Sequence, residues 1–233
     1  MVLKIIPESI SFKDLSLITG FHGIGATGYW TVKYLIQKMK AERVAFVDSD
    51  IIAPMTSNEG GRLVTPYELF RKENLVFFNV EAPPYKSEDM IFFKEFSDFV
   101  AEAGFKEAAL IGGLDSRLKI DKSTFRLVKT SAYQPEKKLA EAPLLEDGQI
   151  IVGPVAIILN RFEALGFPAY SILSYASADR VDPRAAAAAI NILSEHYGFE
   201  VDLAPLLKGA DALDSELSVR SDQIKRQGEH IYT

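Results

Sequence analysis

The chain contains no cysteine among its 233 residues. Without thiols it has no disulfide framework, no thiolate zinc site, no iron–sulfur cluster and no cysteine nucleophile. Cross-links are not needed for stability, because a chain of this length buries roughly 70% of the surface that its unfolded form exposes. The absence of cysteine also agrees with a cytoplasmic location, which we expect for this protein.

Positive charge and long apolar runs are scarce as well. Lys and Arg total 26 against 32 Asp and Glu, so the formal net charge is -6 at pH 7. A nucleic-acid partner would require a basic face, and this balance argues against one. The longest apolar stretch, residues 150–159, contains Gly153 and Pro154 and is far shorter than the ~20 residues that span a bilayer. We therefore expect no membrane partner, and the N-terminus lacks the pattern of a signal peptide.

Short apolar runs alternate with segments of helical periodicity. The runs predict strands over residues 15–19, 44–47, 75–80, 108–111, 125–129 and 169–175. The periodic segments predict helices over residues 32–39, 88–103, 155–165, 185–197 and from 201 to about 226. We expect the strands at 44–47 and 75–80 to be buried on both faces, and a loop to begin at Gly112-Gly113. Residues 134–148 are expected to form a second loop.

This alternation predicts an α/β fold of three layers, in which helices flank a largely parallel or mixed sheet. We expect one domain over residues 1–226, because the sequence shows no repeat and no internal linker. The apolar periodicity is lost near the end of the chain. Residues 227–233 are therefore expected to form an exposed C-terminal tail.

A glycine motif follows the first predicted strand, at residues 15–19. Its sequence, Gly23-Ile-Gly25-Ala-Thr-Gly28, precedes a helix, and Asp48 lies 20 residues after Gly28 at the end of the next predicted strand. This spacing is typical of a dinucleotide fingerprint, in which a carboxylate binds the ribose. The alternative is structural: the glycines allow the helix to pack closely on the sheet, and Asp48 merely ends a strand.

Other catalytic and metal-binding templates are missing. The sequence has no nucleophile elbow, no P-loop lysine and no paired-histidine zinc motif. Its three histidines, His22, His196 and His230, share no ligand spacing. We therefore predict neither a metal nor a cofactor, and no catalytic residue.

The last three residues form a second motif, Ile231-Tyr232-Thr233, which places a hydrophobic residue and a tyrosine before the final residue. Tyrosine is an amphipathic anchor, with a ring to bury and a hydroxyl to pair. A terminal carboxylate can be captured by a lysine or by backbone amides. The triplet therefore indicates a docking tail. The alternative is a terminus with no binding role, which is common at chain ends.

Taken together, these segments resemble the archaeal proteasome-assembly-chaperone family. The glycine segment Gly20-Phe-His-Gly-Ile-Gly-Ala-Thr-Gly28 is similar to the opening signature of that family. The later dipeptides Asp147-Gly148, Gly153-Pro154 and Asp182-Pro183, and the segment Gly166-Phe-Pro168-Ala169, extend the likeness. The resemblance covers roughly residues 15–224.

The resemblance implies a nucleoside-phosphorylase-like α/β domain that forms a homo-oligomer and is not an enzyme. It further implies a proteasome assembly chaperone, or an ATP-independent activator, that inserts its tail between α-subunits of the proteasome. By this likeness Tyr232 anchors the tail, the Thr233 carboxylate pairs with a lysine, and Ile231 fills an apolar recess.

Two other hypotheses remain open from the residues. One is a small-molecule enzyme, either an NAD(P)-dependent reductase or a phosphorylase-like nucleosidase, that uses Gly23, Gly25, Gly28 and Asp48. The other is an interaction module for a different partner, in which the terminal triplet is incidental.

Overall fold

The computed structural model of the protein describes residues 3–82 and 87–211. Within these ranges the strands are β1 (Lys4–Ile6), β2 (Ser16–Gly20), β3 (Glu42–Asp48), β4 (Ser57–Glu59), β5 (Arg62–Val64), β6 (Tyr67–Lys72), β7 (Leu75–Val80), β8 (Glu107–Asp115), β9 (Phe125–Lys129) and β10 (Ala169–Ala176). The helices are α1 (Thr27–Lys38), α2 (Ser87–Glu102), α3 (Pro154–Leu165) and α4 (Pro183–Tyr197). Residues 204–211 are also helical.

Eight of the strands form one mixed sheet in the order β1-β3-β6-β7-β2-β8-β10-β9, and β4 and β5 form a separate hairpin. The four central strands, β7, β2, β8 and β10, run parallel to one another. In this centre Ile18 of β2 lies beside Phe77 of β7 on one side and Ala109 of β8 on the other. Antiparallel strands flank the parallel centre on both sides.

Two hydrophobic clusters, one on each face of the sheet, form the core. Helices α2 and α3 contribute aromatic side chains to one cluster, among them Phe92, Phe96 and Phe162. Helices α1 and α4 contribute aliphatic side chains to the other, among them Leu35 and Leu193. The three-layer α/β architecture expected from the sequence is thereby confirmed.

The helix ends follow the local signals in the sequence. Pro154 and Pro183 each open a helix at its first position, where a missing amide hydrogen costs nothing. Gly166 and Gly198 end the same two helices in the left-handed conformation, at φ +65° and +77°. Glycine adopts this conformation without the steric penalty of a Cβ atom.

Two expectations for the strands were wrong. β8 does not end at Ile111 but continues through Gly112 and Gly113 to Asp115, because both glycines pair with residues of β10. β3 is not buried on both faces. Its neighbour on one side, β1, has only three residues, so much of β3 lies near the edge of the sheet and is partly exposed.

Several elements were not expected from the sequence: β1, the hairpin of β4 and β5, and β6. Residues 137–141, within the expected loop at 134–148, form a short 3-10 helix. The predicted helix beyond residue 211 and the predicted tail lie outside the described residues. None of the helices described in residues 3–82 and 87–211 combines the length and apolar character needed to cross a bilayer.

Asp182 provides a test of how α4 is held. Its Oδ1 accepts from the amides of Arg184, at 3.1 Å, and Ala185, at 3.3 Å, while its Oδ2 accepts from the amide of Ser177, at 3.0 Å. Replacing an N-cap aspartate by alanine typically costs about 1 kcal/mol.

We expect Asp182→Ala to lower the free energy of unfolding by about 1–2 kcal/mol, because it removes both a helix cap and a loop contact. Urea denaturation at fixed protein concentration measures this. Asp179→Ala, at an exposed position of the same loop, is the control and should change stability little. Equal stability of the two variants would contradict the role assigned to Asp182.

Candidate functional site

The carboxyl ends of the parallel strands form a switch point between the two faces of the sheet. Helix α1, which follows β2, packs on one face, and α2, which follows β7, packs on the other. β2 and β7 are neighbours in the sheet. In open α/β sheets, ligands bind outside the carboxyl ends of strands at such a point.

The glycine segment after β2 lies directly on the sheet. A Cβ atom added to Gly28 would stand 2.2 Å from the backbone oxygen of Ile111 in β8, and one on Gly113 would stand 2.1 Å from the oxygen of Ile24. Gly25 has φ +64°, and its Cβ would meet Ala176 at 2.7 Å. These contacts support the structural interpretation of the motif, in which missing side chains allow backbone to pack on backbone.

Asp48 does not join the glycine segment. It ends β3, and β6 and β7 lie between β3 and β2 in the sheet. Three strand spacings correspond to about 14 Å. A dinucleotide fingerprint needs its carboxylate at the end of the adjacent strand. The 20-residue spacing in the sequence therefore does not reproduce that arrangement in space.

A network of four polar side chains fills the switch point, and we call it the Glu81 network: Tyr29, Lys33, Asn79 and Glu81. Tyr29 donates to Glu81 Oε2 at 2.8 Å, and Asn79 Nδ2 donates to Glu81 Oε1 at 3.1 Å. Lys33 donates both to Glu81 Oε1 and to the Tyr29 hydroxyl, each at 2.9 Å. The network thus joins α1 to the end of β7.

Hydrogen bonding determines the charge states of this network. Burial alone would raise the pKa of Glu81, but donation from Lys33, Asn79 and Tyr29 outweighs it and lowers the pKa below its usual value of 4.5. Burial alone would also lower the pKa of Lys33, yet its bonds to Glu81 and Tyr29 raise it. The lysine and the glutamate are therefore both charged at neutral pH.

Tyr29 is not activated by its lysine neighbour. Burial is the main cause that raises the pKa of its hydroxyl, and the carboxylate of Glu81 raises it further. A tyrosinate would face that carboxylate at hydrogen-bond distance, so the hydroxyl keeps its proton. The Glu81 network therefore contains a fixed pair of opposite charges and a protonated tyrosine, and it supplies no nucleophile.

The Glu81 network also supports His22, whose ring stacks on that of Tyr29 at 3.9 Å between centroids. Burial, the largest cause, lowers the pKa of His22, so the imidazole is neutral at pH 7. Within the described part of the chain its Nδ1 is buried and has no hydrogen-bond partner. His22 is therefore a neutral imidazole fixed in orientation by its neighbour.

A cleft of about 330 Å³ opens beside His22, and we call it the strand-end cleft. Its lining includes Phe21, His22, Leu114, Ile151 and Leu173. At its mouth stand Ile150 and Val152, which are 84% and 80% exposed, more than any other large hydrophobic side chain in the described residues.

The residues proposed for docking, Ile231, Tyr232 and Thr233, lie outside the described residues. In the part that is described, no three histidine or acidic side chains come together as a metal site would require. Sequence reasoning missed the Glu81 network. The one available signal was the four-residue spacing of Tyr29 and Lys33 on a helix, which places them on the same face.

The chain is similar to one protein family and to several known proteins. The model of the PAC2 family matches residues 17–219. An uncharacterized protein of Methanocaldococcus jannaschii is 22% identical over 218 residues, which are 92% of this chain and 88% of that protein.

Two solved structures from Pyrococcus furiosus share the fold. PbaA, an archaeal homolog of proteasome-assembly chaperone, aligns with a TM-score of 0.77 at 22% identity over 99% of each chain. PbaB, an archaeal proteasome activator, aligns with a TM-score of 0.74 at 21% identity over 94% of this chain and 98% of its own.

The glycine contacts give a matched pair of variants. We expect Gly28→Ala to destabilise the protein by about 1–3 kcal/mol, because the new methyl group would overlap backbone that cannot move aside. Gly23→Ala, where no atom lies within 4 Å of the added Cβ, should stay within about 0.5 kcal/mol of the parent. Urea denaturation of both variants checks this, and a neutral Gly28→Ala would refute the close approach.

The Glu81 network predicts a pH-dependent effect. Glu81→Gln should lower the free energy of unfolding by about 1–3 kcal/mol at pH 7. It removes the carboxylate 2.9 Å from the Lys33 ammonium and leaves only the longer, more exposed pair with Glu59 at 3.7 Å. Since the folded pKa of Glu81 lies below 4.5, this contribution is present above pH 4.5 and lost as the pH falls below it.

Denaturation at several pH values tests this expectation. The difference between the parent and Glu81→Gln should shrink as the pH falls below 4.5. Glu200→Gln removes an exposed carboxylate far from the network along the chain and serves as the control. A difference that stays constant with pH would show that the charge of Glu81 does not stabilise the fold.

Proposed function

The chain belongs to the PAC2 family, and from this membership we propose that it is a proteasome assembly chaperone or an ATP-independent proteasome activator. The match of the family model over residues 17–219 is the observation that carries the proposal, and it bears out the resemblance drawn from the sequence motifs. PbaA and PbaB, which share the fold, are described as a chaperone homolog and a proteasome activator. Such a partner would place the protein in the cytoplasm.

We propose that the terminal triplet is the part that binds the α-ring. In this proposal the ring of Tyr232 enters a pocket between two α-subunits, and the carboxylate of Thr233 pairs with a lysine there. Ile231 fills a neighbouring apolar recess. Buried aromatic anchors and captured terminal carboxylates are both established modes of peptide recognition.

The end of the described chain supports this proposal. Asp211 accepts from Arg184 Nη2 at 2.6 Å, and Arg184 lies in the first turn of α4, at the carboxyl edge of the sheet. Residues 212–233 continue from there. The predicted helix to about residue 226 would add about 1.5 Å per residue, and the tail over 227–233 about 3.3 Å per residue when extended. A segment of this length can reach a partner outside the domain.

We also propose that the protein acts as a homo-oligomer. A single short tail binds weakly, whereas several tails on one assembly can raise the apparent affinity by roughly 10²–10⁴. Leu63, Ile120 and Leu144 are 61%, 73% and 61% exposed. They do not form one patch, since Leu63 lies in the hairpin and Leu144 pairs with Leu127 of β9 at the other edge of the sheet, so more than one face offers apolar surface for contact between copies. Their burial against a second copy would remove apolar surface from water.

The test compares the full chain with two tail variants, Tyr232→Ala and a chain that ends at His230, each mixed with a proteasome α-ring. Native mass spectrometry reports both the complex and the number of subunits. We expect both variants to lose the complex and keep the oligomer, because the anchor is removed while the domain is untouched. Gln227→Ala, outside the triplet, should still bind.

Undiminished binding by the shortened chain would overturn the docking role of the tail. We propose that the protein acts by binding its partner and catalyses no reaction. Enzyme cofactors and nucleosides should then not bind to it, which gives a second test. A thermal-shift screen with NAD, NADP, ATP and nucleosides should leave the unfolding midpoint unchanged. A midpoint raised by one of these ligands would favour the alternative of a small-molecule enzyme.

A further inference from the structure

The strand-end cleft has the lining of a site for an uncharged ligand. Among the described residues its walls carry no aspartate, glutamate, lysine or arginine, and His22 is the one ionisable side chain of that lining. A phosphate or carboxylate entering this space would be desolvated without a charged partner, which is strongly unfavourable. The volume of about 330 Å³ lies at the lower end of the range for small-molecule sites.

His22 is the one side chain among the described lining residues that carries a strong hydrogen-bonding group. A neutral imidazole carries one donor and one acceptor. Nδ1 is enclosed and has no partner among the described residues, so a ligand in the cleft would meet the ring at its other nitrogen, Nε2. Leaving such a group unpaired in an apolar environment costs free energy. The stack on Tyr29, held in turn by the Glu81 network, fixes the ring in place before any ligand binds.

Two exposed apolar side chains at the mouth of the cleft would contact a bound molecule. Ile150 and Val152 stand there with most of their side chains exposed to water. A molecule in contact with them would remove that apolar surface from water, which is favourable in proportion to the area buried. The cleft therefore combines apolar walls, one fixed polar group and an apolar rim.

We propose that the strand-end cleft binds a small, uncharged, ring-containing molecule that carries one hydroxyl, of the class of simple phenols. The ring packs against Phe21, Leu114 and Leu173, and the hydroxyl pairs with His22. A hydroxyl can both donate and accept, so it matches either tautomer of the imidazole. A rigid ring also buries a large area at little cost in conformational entropy.

The test uses p-cresol and toluene, which differ by one hydroxyl, with the full-length protein. Binding is measured by calorimetry and located from NMR shifts of the methyl groups of Ile151, Leu114 and Leu173. At pH 7 p-cresol is uncharged, as a tyrosine side chain is. We expect p-cresol to bind roughly 3- to 10-fold more tightly than toluene, the value of one hydrogen bond.

Three variants separate the contributions. His22→Phe keeps a ring to stack on Tyr29 and should abolish the preference for p-cresol while toluene binds as before. Ile150→Asp places a charge at the mouth, at an exposed position that the fold does not depend on, and should weaken both probes. Leu207→Ala, an exposed apolar position outside the lining, is the control and should change neither.

Other outcomes would overturn the proposal. These are failure of both probes to bind, binding that is unaffected by Ile150→Asp, and a preference for p-cresol that persists in His22→Phe. Intermolecular contacts to the methyl groups of Ile150 and Val152 would show that a second copy covers the cleft instead. Because the proposal does not involve the C-terminal triplet, its failure leaves the proteasome test unaffected.

Discussion

The contact of the glycine segment with the sheet is the constraint on which the rest of the site depends. Gly28 lies against the backbone of Ile111, and Gly113 lies against that of Ile24, so no side chain fits between loop and strands. The amide of Asp182 donates to the oxygen of Gly25 at 2.9 Å and ties the start of α4 to the same segment. This close approach fixes where α1 begins and where His22 is held.

The Glu81 network is the polar counterpart of that contact. It brings one end of α1 to the end of β7 through a carboxylate that accepts from three side chains, Tyr29, Lys33 and Asn79. A buried charge is tolerated only when it is paired and hydrogen-bonded, and Glu81 meets both conditions. The strand-end cleft and the Glu81 network thus share one support, the stacked rings of His22 and Tyr29.

The fold and the proposed function use different parts of the chain. The proposal for the proteasome rests on family membership and on three terminal residues, which lie outside the described domain. The cleft faces the same edge of the sheet but needs nothing from the tail. A protein of this kind can therefore carry a docking segment and a ligand site that act separately.

Local patterns were sufficient wherever one segment determines its own structure. The apolar run at 75–80 predicts β7, and the Asp182-Pro183 and Gly198 signals predict α4, as observed. The predictions failed where the structure of a segment depends on its pairing with neighbouring strands. The glycines at 112 and 113 read as a loop, yet pairing with β10 keeps them in β8. β6, with Glu68 and Arg71 among its residues, has the composition of an exposed segment, but antiparallel pairing with β3 and β7 makes it a strand inside the sheet.

The sequence by itself determined the fold class, the family and the terminal motif, because these depend on composition, periodicity and short segments. Only the tertiary structure decided which side chains form the site. Asp48 lies 20 residues from Gly28 in the sequence but is separated from the glycine segment by two strands. Glu81 is more than 50 residues from Tyr29 yet hydrogen bonds to it. Strand order, which depends on long-range packing between the two layers of helices, sets those distances, and no local pattern encodes it.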